Sequence, residues 1–110
     1  MTREIDPNQC IDFILENAGK YAQAKGELAQ LEAYKSSLKA IKMAETSEQS
    51  LGAQEREAYR SQDYQDLCKA IGIATEKAEK LKWLLESARL RHSTWQTLEV
   101  SNRTQDKILK

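Results

Sequence analysis

The clearest pattern in the chain is an apolar stripe in its second half. Tyr64, Leu67, Ile71, Ala74, Ala78, Leu81, Leu85, Ala88, His92 and Trp95 follow one another at steps of three and four residues without a slip. These are the a and d positions of a heptad repeat, the period that holds one face of a helix against another helix. The pattern predicts one long helix over residues 62–105. It fails at Glu99 and Asn102, where the helix is expected to leave its partner.

A second helical pattern occupies the first half. Ile14, Tyr21, Ala24, Leu28, Leu31, Tyr34, Leu38 and Ile41 are spaced for a helix, with a drift from strict heptads near Tyr34. Asp6-Pro7 marks its start, because Asp6 can cap and a proline loses nothing in the first turn. The predicted helix covers residues 6–44, after a loose lead-in over residues 1–5. Gly26 either weakens this helix or allows another helix to come close.

Between the two patterns, Glu45 to Gly52 is polar and without an apolar period. Residues 45–61 read as a linker containing a short helix, Ala53–Arg60, capped by Thr46 or Ser50. Ser61 then caps the second long helix, and Asp63 complements its dipole.

Laid antiparallel, the two long helices mesh when facing residue numbers sum to about 105. Leu67 then meets Leu38, Ile71 meets Tyr34, Ala74 meets Leu31, Ala78 meets Leu28 and Leu81 meets Ala24. A parallel dimer of the second helix alone is the competing arrangement, and the small Ala74 and Ala78 suit it less well. The expected fold class is all-α: a single helical domain, residues 1–110, forming an antiparallel coiled-coil-like hairpin with a short connecting helix. A two-helix hairpin buries little area. Trp83 and Leu90, seven residues apart on the side opposite the seam, are left over, as are Ile73 and Val100. The hairpins are therefore expected to assemble into a dimer or a higher bundle through such a face.

Composition supports long helices, with 31% charged residues, one proline and four glycines. Net charge is zero, which argues against a strongly electrostatic nucleic-acid binder. The balance shifts along the chain, however: residues 1–75 carry nine basic and twelve acidic groups, residues 76–110 eight basic and five acidic. Two cysteines, Cys10 and Cys68, read as free thiols in a reducing compartment. With no apolar run of membrane-spanning length and no signal-peptide pattern, a cytoplasmic location is expected and a membrane partner is not.

Candidate chemistry is thin. His92 is the only histidine, and Cys68 is too far along the same helix to share a metal with it. It reads as a polar seam residue. Glu76, Glu79 and Glu86 mix with Lys77, Lys80 and Lys82, the mark of a solvated helix face. No nucleophile elbow, C-x-x-C or phosphate-binding glycine loop occurs. No catalytic residue, metal or cofactor is expected, and the chain reads as a binding protein, not an enzyme. Nucleic acid is a candidate partner. Arg89, Arg91, Arg103, Lys107 and Lys110 lie near Trp83 and Trp95, and basic groups with aromatics can follow a single strand.

One resemblance extends this reading. Glu55-Arg56-Glu57-Ala58-Tyr59-Arg60-Ser61-Gln62-Asp63-Tyr64-Gln65-Asp66-Leu67 leads into a helix carrying Leu81-Lys82-Trp83-Leu84-Leu85, Ala88-Arg89-Leu90-Arg91, Trp95-Gln96-Thr97-Leu98-Glu99 and Ser101-Asn102-Arg103. Over residues 50–104 this layout resembles small helical accessory proteins of bacteriophages and prophages, encoded among early recombination and replication genes. The resemblance implies a phage origin, a host-cytoplasmic location and a role near DNA recombination or single-stranded DNA. It supplies no catalytic motif. The expected function is self-association and binding of a protein partner. The alternatives are direct single-strand binding, or inhibition of a host nuclease or defence complex. Secreted helical-hairpin proteins of similar length carry a Trp-x-Gly turn; Leu51-Gly52 stands here without a tryptophan, so that family is set aside.

Overall fold

A computed structural model describes residues 4–109; Met1, Thr2 and Arg3 of the expected lead-in, and Lys110 of the basic set, lie outside the described residues. Three α-helices and no strand occur among the described residues: α1 (Pro7–Glu45), α2 (Leu51–Arg60) and α3 (Gln62–Leu109).

Local chemistry sets each helix end. Asp6 Oδ1 accepts from the backbone N–H of Asn8 at 2.9 Å and of Gln9 at 3.4 Å, satisfying donors that the first turn leaves orphaned. Ser50, in extended backbone, caps α2 by accepting from the Ala53 N–H at 3.2 Å. The short helix thus begins two residues earlier than its apolar positions suggest, at Leu51. Thr46 caps no helix; its hydroxyl accepts from the Glu48 N–H at 3.2 Å within the linker. Ser61 is the one residue between α2 and α3 and serves both. Its hydroxyl donates to the Ala58 carbonyl at 2.7 Å and accepts from the Tyr64 N–H at 3.3 Å. α3 continues past the expected residue 105 to Leu109, with every described residue from Val100 onward exposed. Helical propensity extends it there, since Glu99 is the last half-buried position.

The chain packs as two units, to each of which α1 and α3 contribute. One comprises Ala22–Glu79. Within it Glu27 Oε2 lies 3.9 Å from Lys77 Nζ, and Asp63 Oδ2 lies 2.6 Å from Lys42 Nζ. Numbers rise along α1 as they fall along α3, so the segments run antiparallel. The two pairs sum to 104 and 105, the register laid out from the sequence. Ala24, Leu38, Ala58, Leu67 and Ala78 are buried here, and Leu28, Leu31, Tyr64, Ile71 and Ala74 are half-buried.

α1 departs from its expected pattern at one place. Tyr34 and Ile41 are 47% and 46% exposed. Tyr34 therefore does not fill the position opposite Ile71. The buried line instead keeps the strict heptad step from Leu31 past Lys35 to Leu38 and the half-buried Lys42. There is no drift. A lysine can occupy a seam position by laying its methylenes along the apolar surface with the ammonium outside. Gly26 also has a different role than close approach: a Cβ built there meets nothing within 4 Å.

Lysines at the end of α1 clamp α2 and the start of α3. Lys39 Nζ sits 3.3 Å from Glu55 Oε1 and 5.0 Å from the centre of the Tyr59 ring. Tyr59 packs edge-on against Tyr64, their ring centres 5.2 Å apart. Contact with Tyr59, and then with the Glu55 carboxylate, raises the Lys39 pKa above the ordinary lysine value. Asp63, and then Glu45, raises that of Lys42.

The other unit joins α1 up to Tyr21 with α3 from Lys80 onward. Cys10 and Ala88 are buried there, with Phe13, Ile14, Asn17, Tyr21, Leu81, Leu85, His92 and Trp95 half-buried. Asn17 turns its amide inward along its own helix, donating to the Phe13 carbonyl at 2.8 Å.

Candidate interaction surface on α3

All ten seam positions of α3 are buried or half-buried: Leu67, Ala78 and Ala88 are buried, and Tyr64, Ile71, Ala74, Leu81, Leu85, His92 and Trp95 half-buried. They form the packing side of the helix. His92 and Trp95 lie ring to ring at 6.0 Å, tilted by 40°. Among the described residues no large side chain is fully buried, and four of the seven buried apolar residues are alanines. The enclosed part of the core is thus mostly alanine, the larger seam side chains are only half-buried, and other large groups stand outside.

Trp83 and Leu90 stand on the side opposite the seam, and Leu84 beside it. Trp83 is 63% exposed, Leu90 56% and Leu84 42%. Lys82 Nζ stands 5.5 Å from the Trp83 ring centre, a cation over part of an indole that is otherwise open. Farther along, Thr94, Thr97 and Thr104 donate their hydroxyls to the carbonyls of Leu90, Ser93 and Val100 at 2.9, 3.1 and 3.0 Å. Hydroxyls satisfied by their own helix make less demand on water, so this exposed face is less polar than its composition suggests.

Beside the exposed leucines lies a cleft of about 260 Å³, lined by Asp6, Gln9, Cys10 and Phe13 of α1 and by Leu84, Ser87, Ala88 and Arg91 of α3. Its floor is apolar and its rim carries Asp6, Gln9 and Arg91. The heptad pattern does not reveal it, because its walls come from segments some seventy residues apart; the available signal is Cys10, four residues before Ile14. A second hollow, about 530 Å³, is bordered by Trp95, Gln96, Glu99, Val100 and Arg103. All five belong to one helix, so no opposing wall closes it.

The basic residues do not converge. Arg89 is engaged by Glu86 at 2.9 Å, and this contact lowers the Glu86 pKa and raises that of Arg89. Two positions on a helix are about 200° apart, so Arg91, in the cleft wall, faces away from Arg89. Arg103 and Lys107, exposed and without an ion pair among the described residues, share the side of Arg89. Trp83 lies on the far side from the half-buried Trp95. Phosphate-binding and stacking groups are thus spread around the helix.

Both thiols are free, Cys10 buried and Cys68 exposed. Among the described residues no three His, Cys, Asp or Glu side chains are grouped to hold a metal ion, and no helix is long and apolar enough to cross a membrane. What the arrangement offers chemically is an apolar, partly aromatic surface beside a shallow amphipathic cleft. No family model, no curated protein and no solved structure matches this chain.

Proposed function

We propose that the chain is a non-enzymatic interaction protein, a phage-type accessory that self-associates and binds a protein partner in the host cytoplasm, with factors of DNA recombination or replication as its targets. The observation that carries this reading is the division of α3 into two faces. The seam positions are buried or half-buried, and Trp83, Leu84 and Leu90 stand exposed opposite or beside them. Exposed aromatic and aliphatic groups gathered on one rigid helix are the usual anchors of protein interfaces. Light scattering coupled to size exclusion tests the self-association. A dimer or larger species at micromolar concentration is expected; a strict monomer throughout sinks this part of the reading.

A second reading has one observation in its favour. Arg89, Arg103 and Lys107 share a helix side that can follow phosphates. Direct single-strand binding predicts salt-sensitive quenching of tryptophan fluorescence by an oligonucleotide, weakened by Arg103→Ala with Lys107→Ala. Absence of binding at low salt eliminates it.

A further inference from the structure

The cleft between the start of α1 and the middle of α3 is selective in size and in charge. Its walls lie within one packing unit of the chain. Cys10, Phe13, Leu84 and Ala88 give it an apolar interior. At about 260 Å³ it is smaller than the roughly 300–1,000 Å³ of a site for a whole small-molecule ligand or cofactor. It has room for one large side chain.

The rim decides the charge of what enters. Asp6 and Arg91 stand there with opposite signs. Asp6 is already compensated. Its carboxylate caps α1 by accepting from the Asn8 and Gln9 N–H groups at 2.9 and 3.4 Å, where the helix dipole favours a negative charge. Arg91 is exposed and has no ion pair among the described residues. The uncompensated charge at the mouth is therefore positive, on a side chain whose planar fork suits a carboxylate. Ala88 and Arg91 are neighbours one turn apart on α3, about 5–6 Å between their Cβ atoms. An apolar group in the cleft and an anion on Arg91 must then arrive close together, as they do when both leave one Cα. Gln9 and Ser87, also at the rim, make no side-chain hydrogen bond among the described residues, so both can pair with peptide groups.

We propose that the cleft takes the C-terminal residue of a partner protein, a large apolar residue whose side chain fills the cleft and whose terminal carboxylate binds Arg91. The inference rests on the reading of the chain as a protein-binding module and names the part of the partner that it grips. A free aromatic acid would supply the same two groups but leave the adjoining exposed Leu84 and Leu90 uncovered. The residues that precede a chain terminus can run on across them.

Cys10 reports occupancy, because it lines the cleft while the other thiol, Cys68, stands exposed outside it. The probes are acetylated pentapeptides ending in Phe, Leu or Trp, each as the free acid and as the C-terminal amide, and acetylphenylalanine alone. At least one free-acid peptide is expected to slow the reaction of Cys10 with a thiol reagent about fivefold near saturation, with Cys68 unchanged. Its amide is expected to need about tenfold more peptide for the same protection, the loss of one charge-assisted contact. Arg91→Gln is expected to remove this preference with helicity unchanged, because the side chain is exposed. Ser87→Phe, which plugs the mouth, is expected to abolish further protection by every probe. Equal protection by acid and amide overturns the assignment of a chain terminus. Acetylphenylalanine protecting as well as the peptides overturns it too, in favour of a free acid. If no probe protects Cys10 the proposal falls, while the self-association reading, judged by light scattering, is unaffected.

Discussion

Lys42 Nζ lies 2.6 Å from Asp63 Oδ2 and 3.0 Å from Glu45 Oε2, so one ammonium ties the last turn of α1 to the first turn of α3. Reversing one charge sets like against like at this junction. Lys42→Glu is expected to lower the thermal midpoint, and Asp63→Lys added to it to recover most of the loss. A double-mutant cycle measures the coupling; additive effects would show that the pair contributes nothing.

The raised pKa values of Lys39 and Lys42 make the same junction sensitive to alkali. A base whose pKa is raised on folding binds its proton more tightly in the native state. Its contribution is therefore complete below the ordinary lysine value of 10.5 and declines as pH rises through the higher native value. Amide exchange in α2, compared with that in α3 around Leu85, is expected to accelerate selectively above this value. Uniform acceleration along the chain would contradict the assignment.

The seam positions differ from their neighbours in energetic weight. Leu38→Ala and Leu67→Ala remove buried side chains and are expected to cost about 2–4 kcal/mol each. Tyr34→Ala, at a position 47% exposed, is expected to cost less than about 1 kcal/mol. Urea denaturation of the three variants ranks them, and an equal or larger loss at Tyr34 would place the tyrosine back in the seam.

Gly26 and Gly72 lie inside long helices, with nothing near the position a Cβ would take. Gly26→Ala and Gly72→Ala are each expected to raise stability by about 0.5–1 kcal/mol, the helix penalty of glycine. A loss of stability would reveal a close neighbour on that side in solution.

The thiols should differ in reactivity. Cys68 is exposed and Cys10 only 5% so. Titration of the native chain with a thiol reagent is expected to give one fast and one slow reaction, becoming two fast ones in denaturant. Equal native rates would mean that the α1 segment carrying Cys10 opens readily.

How far the chain could be read in advance differed between its helices. In α3, apolar residues occupy nearly every a and d position, so the period carries through from Tyr64 to Trp95. In α1, the same period passes through Lys35 and Lys42, while Tyr34 and Ile41 stand one residue before them and are the more apolar choice. At Ile41 hydrophobicity alone therefore selects the wrong neighbour, since the half-buried lysine stem of Lys42 fills the place, whereas Tyr34 and Lys35 are both exposed. The ends of α2 and α3 were legible where a serine cap announced them. The cleft was not, because a heptad pattern reports which face is buried but not where two facing helices leave a gap.

The clamp at α2 also bears on the order in which the Ala22–Glu79 unit assembles. Lys39 and Glu55 are 16 residues apart, whereas Glu27 and Lys77 meet only across a far longer stretch of chain. Loop closure costs more as the loop lengthens, so the turn end closes first and each later layer begins from ends already brought together. Substitutions at Leu38 or Lys39 are then expected to slow folding, and those at Ala24 or Ala78 mainly to speed unfolding. A two-helix seam of this kind grows like a zipper from Ser61, and a nascent chain has nothing to zip onto until the first turns of α3 have left the ribosome.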